Sequence, residues 1–225
     1  MTIRRDQTIG EIAVAYPGAT RVFARHGIDY CCGGGKPLVE TCATKQLDAD
    51  DLLDEIRREL TSTTASPDRW ADRPLGELID HILVTYHRPL AEELPRLDAM
   101  ARKVRETHGD KKPAVLSELA STMHDLRHEL EQHMLKEEEI LFPMIRRGQG
   151  ASAEGPIACM EHEHEDAGSA LARLRALTDD YRVPAEACTT WRALWHGLAE
   201  LETAMHEHIH LENNILFPRA LGSRT

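Results

Sequence analysis

Two stretches of the chain, HMLKEEEILFP at 133–143 and HIHLENNILFP at 208–218, share the pattern His-x-x-x-Glu-x-x-Ile-Leu-Phe-Pro and little else. Positions i and i+4 of a helix lie one above the other, so His133 with Glu137, and His208 with Glu212, each offer an imidazole and a carboxylate to one metal ion or to two adjacent ones. About forty-five residues before each pair stands another histidine, His87 before the first and His164 before the second. Four imidazoles and two carboxylates converging from four helices suit a carboxylate-bridged dimetal centre. Glu137 and Glu212 would bridge, and the histidines would be terminal ligands, two per metal.

A lone His-x-x-x-Glu is a weak signal, since a composition like this yields about one by chance. His196 and Glu200 form such a pair, lack the Ile-Leu-Phe-Pro tail and are assigned to a solvated face. The other six residues are distinguished by where they fall on apolar stripes. Leu83, His87, Leu90, Leu94, Leu97, Ala101 and Val104 step alternately by three and four, and so do Leu116, Leu119, Met123, Leu126, Leu130, His133, Glu137, Ile140 and Met144. A third stripe holds Ile157, Met160, His164, Ala167, Leu171, Leu174 and Tyr181, and a fourth Trp191, Leu194, Leu198, Leu201, Met205, His208, Glu212 and Ile215. Such spacing places each set on one helix face. The candidate ligands therefore point into an apolar interior, where an unpaired carboxylate costs several kcal/mol unless it is protonated, paired or bound to a cation. A single buried histidine is more simply a satisfied core residue; six ligand-type residues at matched positions favour metal. Zinc prefers four donors, often thiolates, whereas octahedral imidazole and carboxylate sites favour iron or manganese. Iron is the expected metal, as two ions bridged by carboxylates and open to an oxo bridge.

Four stripes joined by short breaks (HGDKKP, RGQGASAEGP, RVPAE) predict an up-down four-helix bundle over 75–222. Pro89 and Pro95 fall within its first helix and should kink it, because each lacks an N–H and crowds a preceding carbonyl. The polar, proline-bearing segment 63–74 reads as a linker, and 1–62 as a small helical domain with a glycine run at 33–35. An all-α protein also fits an aromatic content of 4% within 225 residues.

The formal charge of −11 argues against nucleic-acid or anionic-lipid partners. With no apolar run of membrane-spanning length and no secretory leader, a cytoplasmic location is expected. Five cysteines, an odd number, fit reduced thiols better than a disulfide framework.

Adjacent Cys31 and Cys32 cannot close a disulfide without a strained ring, so two thiols are the expected resting form. Gly33, Gly34 and Gly35 allow left-handed or nest-like turns whose N–H groups could stabilise a thiolate, and Pro37 reads as the first residue of a helix. From the residues alone, reactive thiols and small apolar loop side chains are both open readings. Cys42 is close to the pair in sequence, whereas Cys159 and Cys188 sit on ordinary helical patterns and read as core or surface filler.

The region from about 75 to 220 resembles the hemerythrin-like domain, on TYHRP (His87), HMLKE (His133, Glu137), the second histidine of EHEHE (His164) and HIHLE (His208, Glu212). With the upstream GIDYCCGGGK, nearly the whole chain resembles the repair-of-iron-centres family of di-iron proteins. That resemblance implies a role in restoring iron-sulfur clusters after nitrosative or oxidative damage, with damaged iron-sulfur proteins as clients. It also implies a thiol or iron-transfer role for Cys31 and Cys32, taking up iron or nitric oxide and exchanging it with the bundle. Oxygen-carrying hemerythrins place a second histidine four residues after the helix-three ligand, where this chain has Gly168, and end in His-x-x-x-x-Asp rather than His-x-x-x-Glu. The missing imidazole should leave an open or water-filled coordination position. Two alternatives remain at the same centre: an enzyme reducing nitric oxide to nitrous oxide, and a sensor binding nitric oxide or oxygen. Monomer and homodimer are both compatible with the sequence.

Overall fold

The computed structural model describes residues 3–62 and 70–222. Most of the expected linker, 63–69, lies outside the described residues. Its end is a short 3-10 turn, Trp70–Asp72, held to the last helix by Arg219, which donates to the Trp70 and Arg73 carbonyls at 3.0 and 2.7 Å.

Four short helices come first: α1 (Ile9–Ala15), α2 (Ala19–Arg25), α3 (Leu38–Lys45) and α4 (Ala49–Ser62). Thr8 begins α1 with a reciprocal capping box to Glu11, satisfying two N–H groups that the first turn would otherwise leave bare. Ile9, Ile12, Val22, Phe23, Leu38 and Ile56 are fully buried in a core of their own. Pro37 precedes α3 instead of opening it: its backbone is extended, and its carbonyl takes the first helical hydrogen bond, from Thr41.

The bundle follows. Helix α5 covers 75–108 as Leu75–Ile82, a π turn Leu83–His87, and Arg88–His108. Helix α6 covers 113–146 as Pro113–Lys136, a π turn Glu137–Leu141, and Phe142–Arg146. Helix α7 is Glu154–Leu177, and α8 covers 189–220 as Thr189–Leu211, a π turn Glu212–Leu216, and Phe217–Ala220. Sequence neighbours pack side by side and α8 returns against α5, which closes the up-down ring. No strand occurs among the described residues; a single antiparallel bridge joins Thr8 and Pro37.

The π turns depart from simple helical periodicity, and each one ends at an X-Pro step: Arg88-Pro89, Phe142-Pro143 and Phe217-Pro218. Arg88, Phe142 and Phe217 donate to carbonyls five residues back, those of Leu83, Glu137 and Glu212. The wider turn accommodates the carbonyl that a proline ring crowds, so Pro89 is met by one extra residue in a turn. Pro95 leaves the α-helical run Arg88–His108 uninterrupted. Beyond Glu137 the inserted residue shifts the register: Ile140, expected on the seam, is 53% exposed, and Leu141, Phe142 and Ile145 are buried instead. Tyr181 likewise lies past the end of α7, in a left-handed stretch with Asp179 and Asp180.

Candidate metal centre

All six candidate ligands are buried and converge at one end of the bundle. They form two overlapping clusters, His87, Glu137, His208 and Glu212, and His133, Glu137, His164 and Glu212. Both carboxylates belong to both clusters. Glu137 Oε2 is 3.4 Å from the Nε2 atoms of His87 and of His133. Glu212 instead divides its oxygens, Oε1 at 3.1 Å from His208 Nε2 and Oε2 at 3.3 Å from His164 Nε2. The imidazoles pair as well, His87 with His208 at 3.2 Å and His133 with His164 at 3.0 Å between Nε2 atoms. Neighbouring donors on an ion with bonds of about 2.1 Å are separated by roughly 3.0–3.4 Å, the spread seen in both clusters.

The ring nitrogens facing away from the cluster select the tautomer. His87 Nδ1 is 2.8 Å from Glu138 Oε1, His133 Nδ1 is 2.9 Å from Glu163 Oε2, and His164 Nδ1 is 2.8 Å from Asn213 Oδ1. With Nδ1–H donating to these acceptors, the Nε2 lone pairs turn inward. Sequence reasoning missed all three acceptors. Glu138 and Asn213 did leave a signal, since each directly follows the glutamate of a repeated motif; Glu163 meets His133 only across the α6–α7 contact. The repeat is broken at His208, whose buried Nδ1 has no hydrogen-bond partner among the described residues. There Tyr86 stacks on the imidazole at 5.3 Å between ring centroids, nearly parallel.

A cation fits this chemistry. Among the described residues no donor hydrogen-bonds either buried oxygen of Glu137 or Oε2 of Glu212, a costly arrangement if nothing positive stands between them. Burial opposes a second proton on His87 and His164, but the facing carboxylates of Glu137 and Glu212 outweigh it and carry both rings up to about 9. Burial also favours the neutral acid of Glu212, and His208 and His164 overcome it, holding the carboxyl well below the usual range. Two shared carboxylates thus call for positive charge, from protons or from metal. Each cluster supplies four donors, so six-coordinate ions would keep open positions.

The cysteine pair docks beside this centre. Cys32 Sγ is 3.5 Å from the His164 carbonyl oxygen. Asn213, which accepts from His164, also donates to the Cys31 carbonyl at 3.3 Å, and Asn214 donates to that of Tyr30 at 3.1 Å. A Cβ on Gly168 would lie 3.8 Å from Cys32 Sγ. Gly168, where the sequence lacks a second helix-three imidazole, therefore borders a thiol.

Cys31 and Cys32 are not joined by a disulfide, and the turn beside them does not offer its N–H groups to a thiolate. Asp29 already fills it, accepting from the N–H groups of Cys31, Cys32 and Gly33 at 3.0, 2.9 and 2.9 Å. None of Gly33, Gly34 and Gly35 is left-handed. Gly33 and Gly34 are needed for close approach: a Cβ on Gly33 would stand 3.0 Å from Asp29 Oδ2, and one on Gly34 2.9 Å from the Tyr30 carbonyl oxygen and 3.2 Å from the Gly10 Cα. Hydrogen bonding from Cys31 to Cys32 and burial push the Cys31 thiol up, while the same bond lowers Cys32. Cys42 is buried, and Cys159 and Cys188 are exposed. His196 and Glu200 are exposed.

Fold and site together define a hemerythrin-like cation-binding protein, and residues 78–220 match the family described as hemerythrin HHE cation binding domain. Residues 5–59 match ScdA_N, described as a domain of unknown function. Over 218 residues, 97% of this chain and 98% of theirs, the chain is 46% identical to the iron-sulfur cluster repair protein YtfE of Citrobacter koseri and 47% identical to that of Escherichia coli O81. The protein of the same name from Escherichia fergusonii is 46% identical. The chain belongs to this repair-of-iron-centres family. Among the described residues no helix is long and apolar enough to cross a membrane.

Proposed function

We propose that this chain is a di-iron protein that repairs iron-sulfur clusters damaged by nitrosative or oxidative stress, by supplying iron from the bundle to damaged iron-sulfur proteins. The observation that carries the reading is the sharing of two buried carboxylates between two histidine pairs in a chain whose relatives are named for cluster repair. His87 and His208 would hold one iron, His133 and His164 the other, and Glu137 and Glu212 would bridge them. Imidazole and carboxylate donors with room for further ligands suit iron better than a closed zinc site. Because imidazoles must be neutral to bind, acidification should loosen the metal, a property useful to a donor.

Cys31 and Cys32 would act as the thiols through which iron or nitric oxide passes to and from the bundle. Their placement against His164 and Asn213 supports that role.

The test combines iron analysis and absorption spectroscopy with transfer to a damaged iron-sulfur protein. The reading expects about two irons per chain, few in a Glu137→Ala, Glu212→Ala variant, and repair proportional to occupancy. Nitric oxide turnover by the isolated protein without iron transfer would replace it.

A further inference from the structure

Outside the bundle, Asp29, Cys31 and Cys32 bring a carboxylate oxygen and two sulfurs within 4.8 Å of one another. The sulfurs are 3.7 Å apart, and Cys31 Sγ is 3.2 Å from Asp29 Oδ1. A disulfide needs sulfurs about 2 Å apart, so this spacing belongs to a different bond pattern. Thiolates bound to one tetrahedral ion at about 2.3 Å are separated by about 3.8 Å, the edge of the tetrahedron. The pair already has that edge.

Asp29 can serve as the third donor without leaving its loop. Oδ1 accepts the N–H groups of Cys31 and Cys32 and also faces the Cys31 thiol, while Oδ2 takes only the N–H of Gly33. A carboxylate has about four lone-pair sites, so Oδ2 keeps one free and Oδ1 regains capacity when the Cys31 proton departs. Asp29 is exposed and Cys32 half-buried, which leaves the cluster open to a cation from solvent. Glu165 adds negative charge beside Cys32.

We infer that Asp29, Cys31 and Cys32 form a separate mononuclear site for one divalent cation, with two thiolates, one carboxylate and a fourth position open to an incoming ligand. Binding is an exchange without electron transfer: the ion gains two M–S bonds and one M–O bond, and two neutral thiols release two protons to water. Thiolates select borderline and soft ions, so Fe2+ and Zn2+ are the candidate occupants. Fe2+ as the working occupant rests on the iron-supply reading; the site itself does not.

Cobalt(II) alone is the probe, because bound thiolate gives it a near-ultraviolet charge-transfer band that imidazole and carboxylate do not. The parent should take up one more ion per chain than Cys31→Ser, Cys32→Ser, and a Glu137→Gln, Glu212→Gln variant should keep the thiolate band. Asp29→Asn, which retains an acceptor for the loop, should weaken the thiolate-band affinity at least tenfold. Equal uptake by the parent and the serine variant, or no thiolate band in the parent, overturns the site. Unchanged affinity in Asp29→Asn overturns the three-donor assignment. A parent that binds a single cobalt ion with the full thiolate band would support this site while removing the reading of the bundle.

Discussion

Cys32 Sγ approaches the carbonyl oxygen of His164 to 3.5 Å, placing a thiol of the N-terminal helices against the backbone of a candidate metal ligand. Asn213 strengthens the link by accepting from His164 Nδ1 and donating to the Cys31 carbonyl. An amide can do both, whereas a carboxylate, as at Glu138, has no N–H to give.

Asn213→Asp should therefore separate the two contacts. It keeps the acceptor for His164 and loses the donor to Cys31, so iodoacetamide should label Cys32 several-fold faster while metal content stays at the parent's value. Asn213→Leu loses both and should also lower metal affinity by about 10–100-fold, the usual cost of removing the partner of a ligating histidine. Equal labelling rates in the parent and Asn213→Asp would show that the amide does not hold the cysteine segment.

Glu137 and Glu212 are common to both clusters, whereas each histidine belongs to one. Glu137→Ala should remove both ions of the bundle, while His87→Ala should retain the ion of His133 and His164. Metal analysis after gel filtration distinguishes them. Loss of one ion from both variants would argue against a shared bridge.

The pH dependence has a definite sign. In metal-free protein His87 and His164 are raised from 6.5 to about 9. Their contribution to stability is full below 6.5 and is lost as pH rises through about 9. Metal binding needs neutral imidazoles and strengthens across the same interval. Thermal unfolding of chelator-treated protein should give a falling Tm, and the gap between loaded and metal-free protein should widen. A metal-free Tm that climbs across this window would contradict the assignment.

Pro143 lacks the N–H that would bond the Glu139 carbonyl in an α-helix, and Phe142 donates instead to Glu137 across the π turn. Pro143→Ala restores the α-helical alternative. Metal-free protein should gain up to about 1 kcal/mol in urea unfolding, and metal should bind more weakly because Glu137 begins the turn that can rearrange. Tighter binding would show that the proline does not maintain the turn.

Gly34 sits where Tyr30, Gly10 and Asn214 meet. A methyl group there meets backbone, which yields less readily than a side-chain end, so Gly34→Ala should cost about 1–3 kcal/mol. Calorimetry should show the loss, and thiol labelling should show the cysteine loop loosened while the bundle keeps its metal.

Much of this molecule was written in one dimension. The three-four spacing of Leu, Met and Trp placed His87, His133, Glu137, His164, His208 and Glu212 on inward faces, and the repeated tail made them a set. Helical periodicity is a local property, so single stripes reveal which side of each rod faces the core. It failed where a local geometric change intervened: the π turn after Glu137 exposes Ile140, because one inserted residue rotates everything beyond it.

What only the tertiary structure decided was the company those residues keep. Glu163 reaches His133 from another helix, Asn213 joins His164 to Cys31, and Asp29 occupies the turn that the glycines had seemed to open for thiolate. Spacing along a chain determines which residues share a helix face, but contacts between elements depend on how those faces meet. No single segment contains that information.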